Sequence, residues 1–250
     1  MRSKREQLRE RGFVHFPDVL PARLVEALLA FGDASFGDTV ASPYGMIRFN
    51  PWQDGPLLVD TARRYLAPIV CGLLEVPEIL FFQDFLISKL AGSTLAIRWH
   101  QDYSYWPVDS PFGVMVWVAL DDADADNGCL RYIPGTHTLG EKQPADFVIG
   151  AHQAPRSDLP PQEAEARADE AVVMPVRAGG LLVHNHLVWH MSPPNPTPRP
   201  RRAWASCWLG ADVNWAPEHA PHPFNYSLEP VSGSPVRGEL FPRMGPGVPG

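Results

Sequence analysis

The chain has 250 residues, a formal net charge of −7, and 45% hydrophobic against 20% charged residues. This is the balance of one globular domain, and the acidic excess argues against nucleic acid as the partner. Three scattered cysteines (Cys71, Cys129, Cys207), an N-terminus without an apolar signal core and no apolar run near the ~20 residues of a membrane span together predict a reduced, cytoplasmic protein with no membrane partner.

In chain order, residues 3–11 predict a charged helix stopped by Gly12. FVHFPDVL reads as a short strand running into a turn, and Pro21 opens a second helix, PARLVEALLAFGD. PLLVDTARRYLAPIVCGLL (56–74) reads as a third, amphipathic helix. From residue 79 the pattern changes to short apolar or alternating runs punctuated by Gly, Pro, Asn and Asp, the signature of an antiparallel sandwich or barrel. Residues 141–170 are polar, an insert expected to be a lid or a loop over the core. The Pro- and Gly-rich stretch 216–250 is expected to wrap the core or stay irregular. The whole is expected to be a single domain: a helical region 1–78, a β core at about 79–215 and the C-terminal segment 216–250.

Within the β region, RWHQDYSYW places His100 and Asp102 two apart. On a strand, i and i+2 share a face, so an imidazole and a carboxylate would project side by side, two of the three ligands of the facial triad that holds oxygen-activating Fe(II). HNHLVWHMSPPN offers His184, His186 and His190, all of one parity. The ligand needs an open strand end beside a loop, which selects His190, ahead of Met-Ser-Pro-Pro-Asn. His184 and His186 would line the same wall deeper in, as hydrogen-bonded residues. PRPRRAW follows, and an arginine buried at the start of a strand needs an anionic partner such as a dicarboxylate. Either Arg201 or Arg202 faces inward, and parity does not choose between them.

WHQDYSYWP, NGCLRYIPGTH (127–137), His190 to Asn195 and Arg201-Arg-Ala, in this order, closely resemble the phytanoyl-CoA dioxygenase family over about residues 8–210. The resemblance implies a double-stranded β-helix, or jelly-roll, cupin-like core with flanking helices. It implies Fe(II) held by His100, Asp102 and His190, with 2-oxoglutarate and O2 as co-substrates. It selects Arg201, eleven residues beyond His190, for the far carboxylate of 2-oxoglutarate. Ser192 and Trp117 then fall at positions that line the co-substrate, and Lys89 is either an active-site cation or a strand-edge lysine. Asn195 becomes a loop-shaping residue. Trp106, Tyr103, Arg98 and Arg48 are candidates for the substrate side.

The function so implied is a dioxygenase that hydroxylates or otherwise oxidises an unactivated C–H of a small metabolite, releasing succinate and CO2. Related halogenases carry Gly or Ala in place of the carboxylate, so Asp102 points to oxidation and not halogenation. The expected substrate is a natural-product or amino-acid-like intermediate. The competing readings are an acyl-CoA hydroxylase of the same family, a metal-dependent cupin-type enzyme that makes no use of 2-oxoglutarate, and a binding domain that would be expected to have lost a ligand. No oligomeric state is read from the sequence.

Overall fold

The computed structural model describes residues 3–36, 46–94, 96–142 and 162–246. Helix α1 (Lys4–Arg11) begins with a reciprocal cap: the Ser3 hydroxyl accepts from the Glu6 N–H and the Glu6 carboxylate accepts from the Ser3 N–H. It ends at Gly12, whose φ of 84° is the left-handed conformation glycine adopts without penalty. A Cβ there would lie 2.6 Å from the His137 ring, so the missing side chain also lets that ring dock, its Nε2 3.0 Å from Arg9 O.

Strand β1 (Phe13–Phe16) and helix α2 (Ala22–Phe36) follow, then strand β2 (Met46–Phe49). The third predicted helix is present as α3 (Pro56–Thr61) and α4 (Ala67–Leu74), joined through a π-wound turn at Ala62–Leu66. Pro68 accounts for the turn. It has no N–H for the i−4 carbonyl and its ring crowds that oxygen, so the helix widens by one residue there.

The remaining strands are β3 (Ile79–Lys89), β4 (Ile97–His100), β5 (Gly113–Ala119), β6 (Leu130–Tyr132), β7 (Val172–Met174), β8 (Leu181–Asn185), β9 (His190–Ser192), β10 (Arg201–Gly210) and β11 (Arg243–Met244). Two short helices, α5 (Gln162–Ala166) and α6 (Pro223–Ser227), lie among them. The larger sheet runs β1-β8-β5-β10-β3-β11 with β2 beside β3, and the smaller runs β4-β9-β6-β7. All the strand pairings are antiparallel. This is the jelly-roll, or double-stranded β-helix, core with flanking helices that the family resemblance implies.

Alternation along β3 and β10 divides two cores. Leu86, Trp204 and Trp208 turn outward under the helices, against Leu28, Leu58, Leu66 and Val70. Phe82, Met115, Trp117, Leu182 and Ala205 turn inward between the sheets. Covering both faces explains why the central strands read as nearly continuous apolar runs. The described part of the C-terminal segment is ordered over the β3 end, where Phe224 and Phe241 pack on Phe82 with ring centroids 5.5 and 5.6 Å away. Residues 143–161, most of the expected insert, lie outside the described residues. Among the described residues no helix is long and apolar enough to cross a membrane.

Candidate metal and co-substrate site

His100 is the last residue of β4, but Asp102 is not on a strand. Its backbone is helical (φ −67°, ψ −40°) and opens the turn Tyr103–Tyr105. The shared-face argument for i and i+2 therefore does not apply. The turn swings the carboxylate back instead, leaving Oδ1 3.8 Å from His100 Nε2. The three-histidine segment is likewise not one strand. β8 stops at Asn185, the Val188 N–H closes a reversal on Asn185 O at 3.1 Å, and β9 starts at His190. His184 thus belongs to the larger sheet and His190 to the smaller, their rings facing each other at 4.4 Å. His190 Nε2 lies 3.6 Å from Asp102 Oδ1. One ligand atom from each of His100, Asp102 and His190 falls within 4.8 Å of the others, all three residues being buried, a geometry that could hold a metal ion.

The backbone sets the imidazole tautomers. His100 Nδ1 is 2.8 Å from Arg98 O and His190 Nδ1 is 3.1 Å from Val188 O. A carbonyl only accepts, so Nδ1 carries the proton in both rings and the Nε2 lone pairs face the cluster. Burial lowers the pKa of His100, and burial with the neighbouring His100 charge takes His190 down to about 4, so both are neutral ligands at physiological pH. Burial alone would raise the Asp102 carboxyl, but His190 and His184 outweigh it and hold the group well below the usual carboxylate range.

His184 gives Asp102 its second contact. Its Nε2–H donates to Asp102 Oδ2 at 2.9 Å, and its Nδ1 accepts from the Tyr132 hydroxyl at 2.9 Å. With Oδ2 committed to His184, Oδ1 is the carboxylate oxygen left facing the two Nε2 atoms. Tyr132 carries no signal of this role in the sequence beyond its place in an apolar strand.

A second group of residues converges where β3, β9 and β10 meet. Lys89 and Arg201 are register partners on β3 and β10, and both are buried. Lys89 Nζ donates to Ser192 Oγ (2.5 Å), to Ser192 O (3.1 Å) and to Pro193 O. Arg201 donates to Ser192 Oγ at 3.3 Å and lies over the Trp117 ring, 5.4 Å from its centroid. The Arg201 Nε–H has no partner, and neither cation meets a carboxylate, among the described residues. Burial together with the Arg201 charge lowers Lys89 to about 7, and burial lowers Arg201 to about 10. Two buried cations without a counter-ion among the described residues could hold an anion.

Arg202 turns the other way, to Asp121 (2.8 Å) and Asp33 (2.9 Å), which resolves the question that parity left open. Asn195 shapes the loop, its Nδ2 shared among the carbonyls of Lys89, Leu90 and Arg199. Gly128 forms the far wall, where a Cβ would sit 2.7 Å from Pro193 O and 3.2 Å from Lys89 Cδ.

The four substrate-side candidates do not gather in one place. Trp106 is buried in the inner core against Phe82 and Phe85. The Tyr103 hydroxyl donates to Val108 O (3.1 Å) and its ring packs on His219, so it builds the loop. The Arg98 side chain is exposed. Arg48 is ion-paired with Asp54 at 2.9 Å.

The family model for phytanoyl-CoA dioxygenase matches residues 8–203. The chain belongs to the phytanoyl-CoA dioxygenase family. Phytanoyl-CoA dioxygenase domain-containing protein 1 of Danio rerio is 30% identical over 60% of this chain and 52% of its own length. The Mus musculus protein of that name is 34% identical over 58% of this chain and 49% of its own. The chain thus spans about half the length of the curated relatives it matches. Solved structures match over nearly the whole chain. The non-heme alpha ketoglutarate dependent carbocyclase SnoK from nogalamycin biosynthesis superposes with a TM-score of 0.78 at 23% identity, covering 96% of this chain and 95% of its own. The epimerase SnoN, in complex with Fe3+, alpha ketoglutarate and nogalamycin RO, does so with a TM-score of 0.77 at 22% identity, covering 96% of each chain. EctD from S. alaskensis follows with a TM-score of 0.72 at 19% identity, covering 94% of this chain and 84% of its own.

The residues present fit the family's cofactors. Two neutral imidazoles and one ionised carboxylate on one side of a point are a ligand set for Fe(II), with positions left open for 2-oxoglutarate and O2. The buried Lys89–Arg201 pair fits the far carboxylate of 2-oxoglutarate.

Proposed function

We propose that the protein is an Fe(II)- and 2-oxoglutarate-dependent dioxygenase that oxidises an unactivated C–H of a small natural-product-like metabolite. The observation that carries this reading is the pairing of the buried His100–Asp102–His190 cluster with two buried cations that meet no carboxylate among the described residues. A metal enzyme making no use of a dicarboxylate would have no reason to bury Arg201 with its Nε–H unpartnered among the described residues. The substrate class is supported by the near full-length likeness to SnoK, from nogalamycin biosynthesis, and to SnoN, which binds nogalamycin RO.

The iron and 2-oxoglutarate, when bound, supply the oxygen activation and decarboxylation that yield succinate, CO2 and the oxidised product. The chain's own residues bind and orient. His100 and His190 present Nε2 lone pairs fixed by their Nδ1–H bonds to carbonyls. Asp102 presents Oδ1 while His184 holds Oδ2. Arg201, with its Nε–H unpartnered among the described residues, would grip the far carboxylate of the co-substrate, Lys89 would add its charge beside it while its N–H groups stay bonded to Ser192 and Pro193, and Trp117 forms one wall beside the guanidinium. Asp102 supplies a carboxylate where a halide would otherwise need room, which supports oxidation over halogenation.

The test is an anaerobic titration of the Fe(II)-loaded protein with 2-oxoglutarate, followed by the weak visible charge-transfer band of a chelated keto acid. The wild type is expected to show the band, His190→Ala to lose it, and Arg201→Ala to need at least tenfold more 2-oxoglutarate. Iron binding with no band at any 2-oxoglutarate concentration would exclude the reading.

A further inference from the structure

The inward rung of the larger sheet at the level of the metal cluster is His184–Met115–Cys207–Gln83, read across β8, β5, β10 and β3. Directly paired residues face the same way, so Gln83 looks into the interior that His184 enters from the other end, about 14 Å away at three strand spacings. Lys89 lies six residues along the same strand, roughly 20 Å from Gln83. The Gln83 end of the interior is therefore well removed from the two cations, on ground the co-substrate leaves free.

The orientation of the Gln83 amide follows from its neighbours. The Phe224 N–H donates to His222 Nδ1 at 3.1 Å, so this neutral ring carries its proton on Nε2. That N–H donates to Gln83 Oε1 at 3.2 Å. The Gln83 NH2 group must then point away from His222, and it has no partner among the described residues although Gln83 is only 1% exposed. The Trp106 indole N–H is also buried and unpartnered among the described residues. Its ring stacks on Phe85 (6.3 Å) and meets Phe82 (6.1 Å) and His222 (5.9 Å), so it shares a wall with Gln83. Trp106 lies four positions beyond Asp102 in the chain.

We propose that Gln83 and Trp106 form the substrate-recognition end of the site, two neutral N–H donors that take a carbonyl-type oxygen of an otherwise apolar, uncharged substrate. This rests on the oxygenase reading above. Buried donors without acceptors are unfavourable to leave unmade, and an acceptor oxygen on the ligand relieves both. The side chains against them are the rings of Phe82, Phe85 and His222, with Cys207 and Met115 next on the rung. None of these is a counter-charge for the ammonium group of an amino acid or for the phosphates of a coenzyme A thioester. A ketone, quinone, lactone or ester on a flat hydrocarbon frame matches the wall in both polarity and shape.

The experiment compares 2-acetylnaphthalene with 2-ethylnaphthalene by anaerobic titration calorimetry on the full chain, with and without Fe(II) and 2-oxoglutarate. The ketone is expected to bind about tenfold more tightly. Gln83→Leu and Trp106→Phe should each remove part of that preference and the double variant all of it, read as the ratio of ketone to hydrocarbon affinity in each variant. Gln83→Glu keeps the acceptor for His222 while deleting the NH2 donors, so it decides the matter if Gln83→Leu fails to fold. Equal affinities in the wild type, a preference that survives the double variant, or tighter binding of 2-naphthylalanine than of the ketone would overturn the proposal. The visible band is read in the same samples. A band without ketone preference removes this proposal alone, and ketone preference without a band keeps it and removes the oxygenase reading.

Discussion

Asp102 has two oxygens and two obligations. One faces His100 and His190, and the other accepts from His184, itself held by Tyr132. Such outer contacts fix a ligand's angle, and their loss typically costs 10–100-fold in metal affinity. His184→Phe, which fills the volume but cannot donate, is expected to weaken Fe(II) binding by about that factor and to shift the Fe(II)–2-oxoglutarate band. Tyr132→Phe should do so by less, since it removes only the brace behind the imidazole. Iron titration under argon would check both, and unchanged affinity in His184→Phe would show that the contact does nothing for the metal. At this scale the sequence was a fair guide to residue types and a poor one to orientation. His100 and Asp102 do meet, but through a turn and not along a strand, because the β4 ladder ends at His100. His184 and His190 face each other because the chain reverses between them, where an unbroken parity argument sets them side by side. Gln83 and His222 gave no signal, since their contact spans 139 residues.

At the scale of the element, β3 serves two masters. Its inner face carries Lys89 and Gln83, and its outer face carries Asp84, fully buried and bonded to the Trp204 indole N–H at 2.9 Å. Burial raises the Asp84 carboxyl to about 7. The folded protein therefore keeps a proton that the unfolded chain releases near 4, and stability falls as pH rises from about 4 to about 7. The shift corresponds to on the order of 4 kcal/mol at 1.36 kcal/mol per unit. Asp84→Asn keeps an acceptor for Trp204 and abolishes the ionisation. Its melting temperature is expected to exceed that of the wild type by several degrees at pH 8 and to match it within a degree or two at pH 4.5. Parallel thermal melts decide, and a gain of the same size at both pH values would exclude the titration of Asp84 as the cause. The helices were the most legible elements, announced by the Gly12 stop, by Pro21 and by the amphipathic spacing of 56–74. Asp84 was not, because a carboxylate inside an apolar strand run reads as either face.

For the whole molecule, the His100–Asp102–His190 cluster sits between the two sheets. His100 and His190 come from the smaller, His184 from the larger, and Arg201 and Lys89 from the far end of the larger. A metal and a dicarboxylate bound there would tie both sheets together, and anything that binds only the folded state stabilises it by mass action. At 100 times the dissociation constant this is about 2.7 kcal/mol, which in a chain of this size raises the melting temperature by roughly 5–10 °C. Mn(II) with 2-oxoglutarate, a pair that can be melted in air, is expected to give such a shift in the wild type and little in His190→Ala. A scan showing equal shifts in both would place the binding elsewhere. The punctuated apolar runs from residue 79 onward made an antiparallel sandwich or barrel legible, and the jelly roll came with the family resemblance that the ordered motifs carry. A wrap by residues 216–250 was one of two expectations, and the seat of α6 over Phe82 was illegible, set by long-range aromatic contacts and by no local period.

Asn195 spreads one amide group over the carbonyls of Lys89, Leu90 and Arg199, joining the end of β3 to the residues that lead into β10. Both cations are thereby gauged from a single fixed point. Thr197 holds the other end of that amide, its N–H and hydroxyl both donating to Asn195 Oδ1, so the spacing of the two charges is carried by a five-residue clasp and not by the sheet ladder alone.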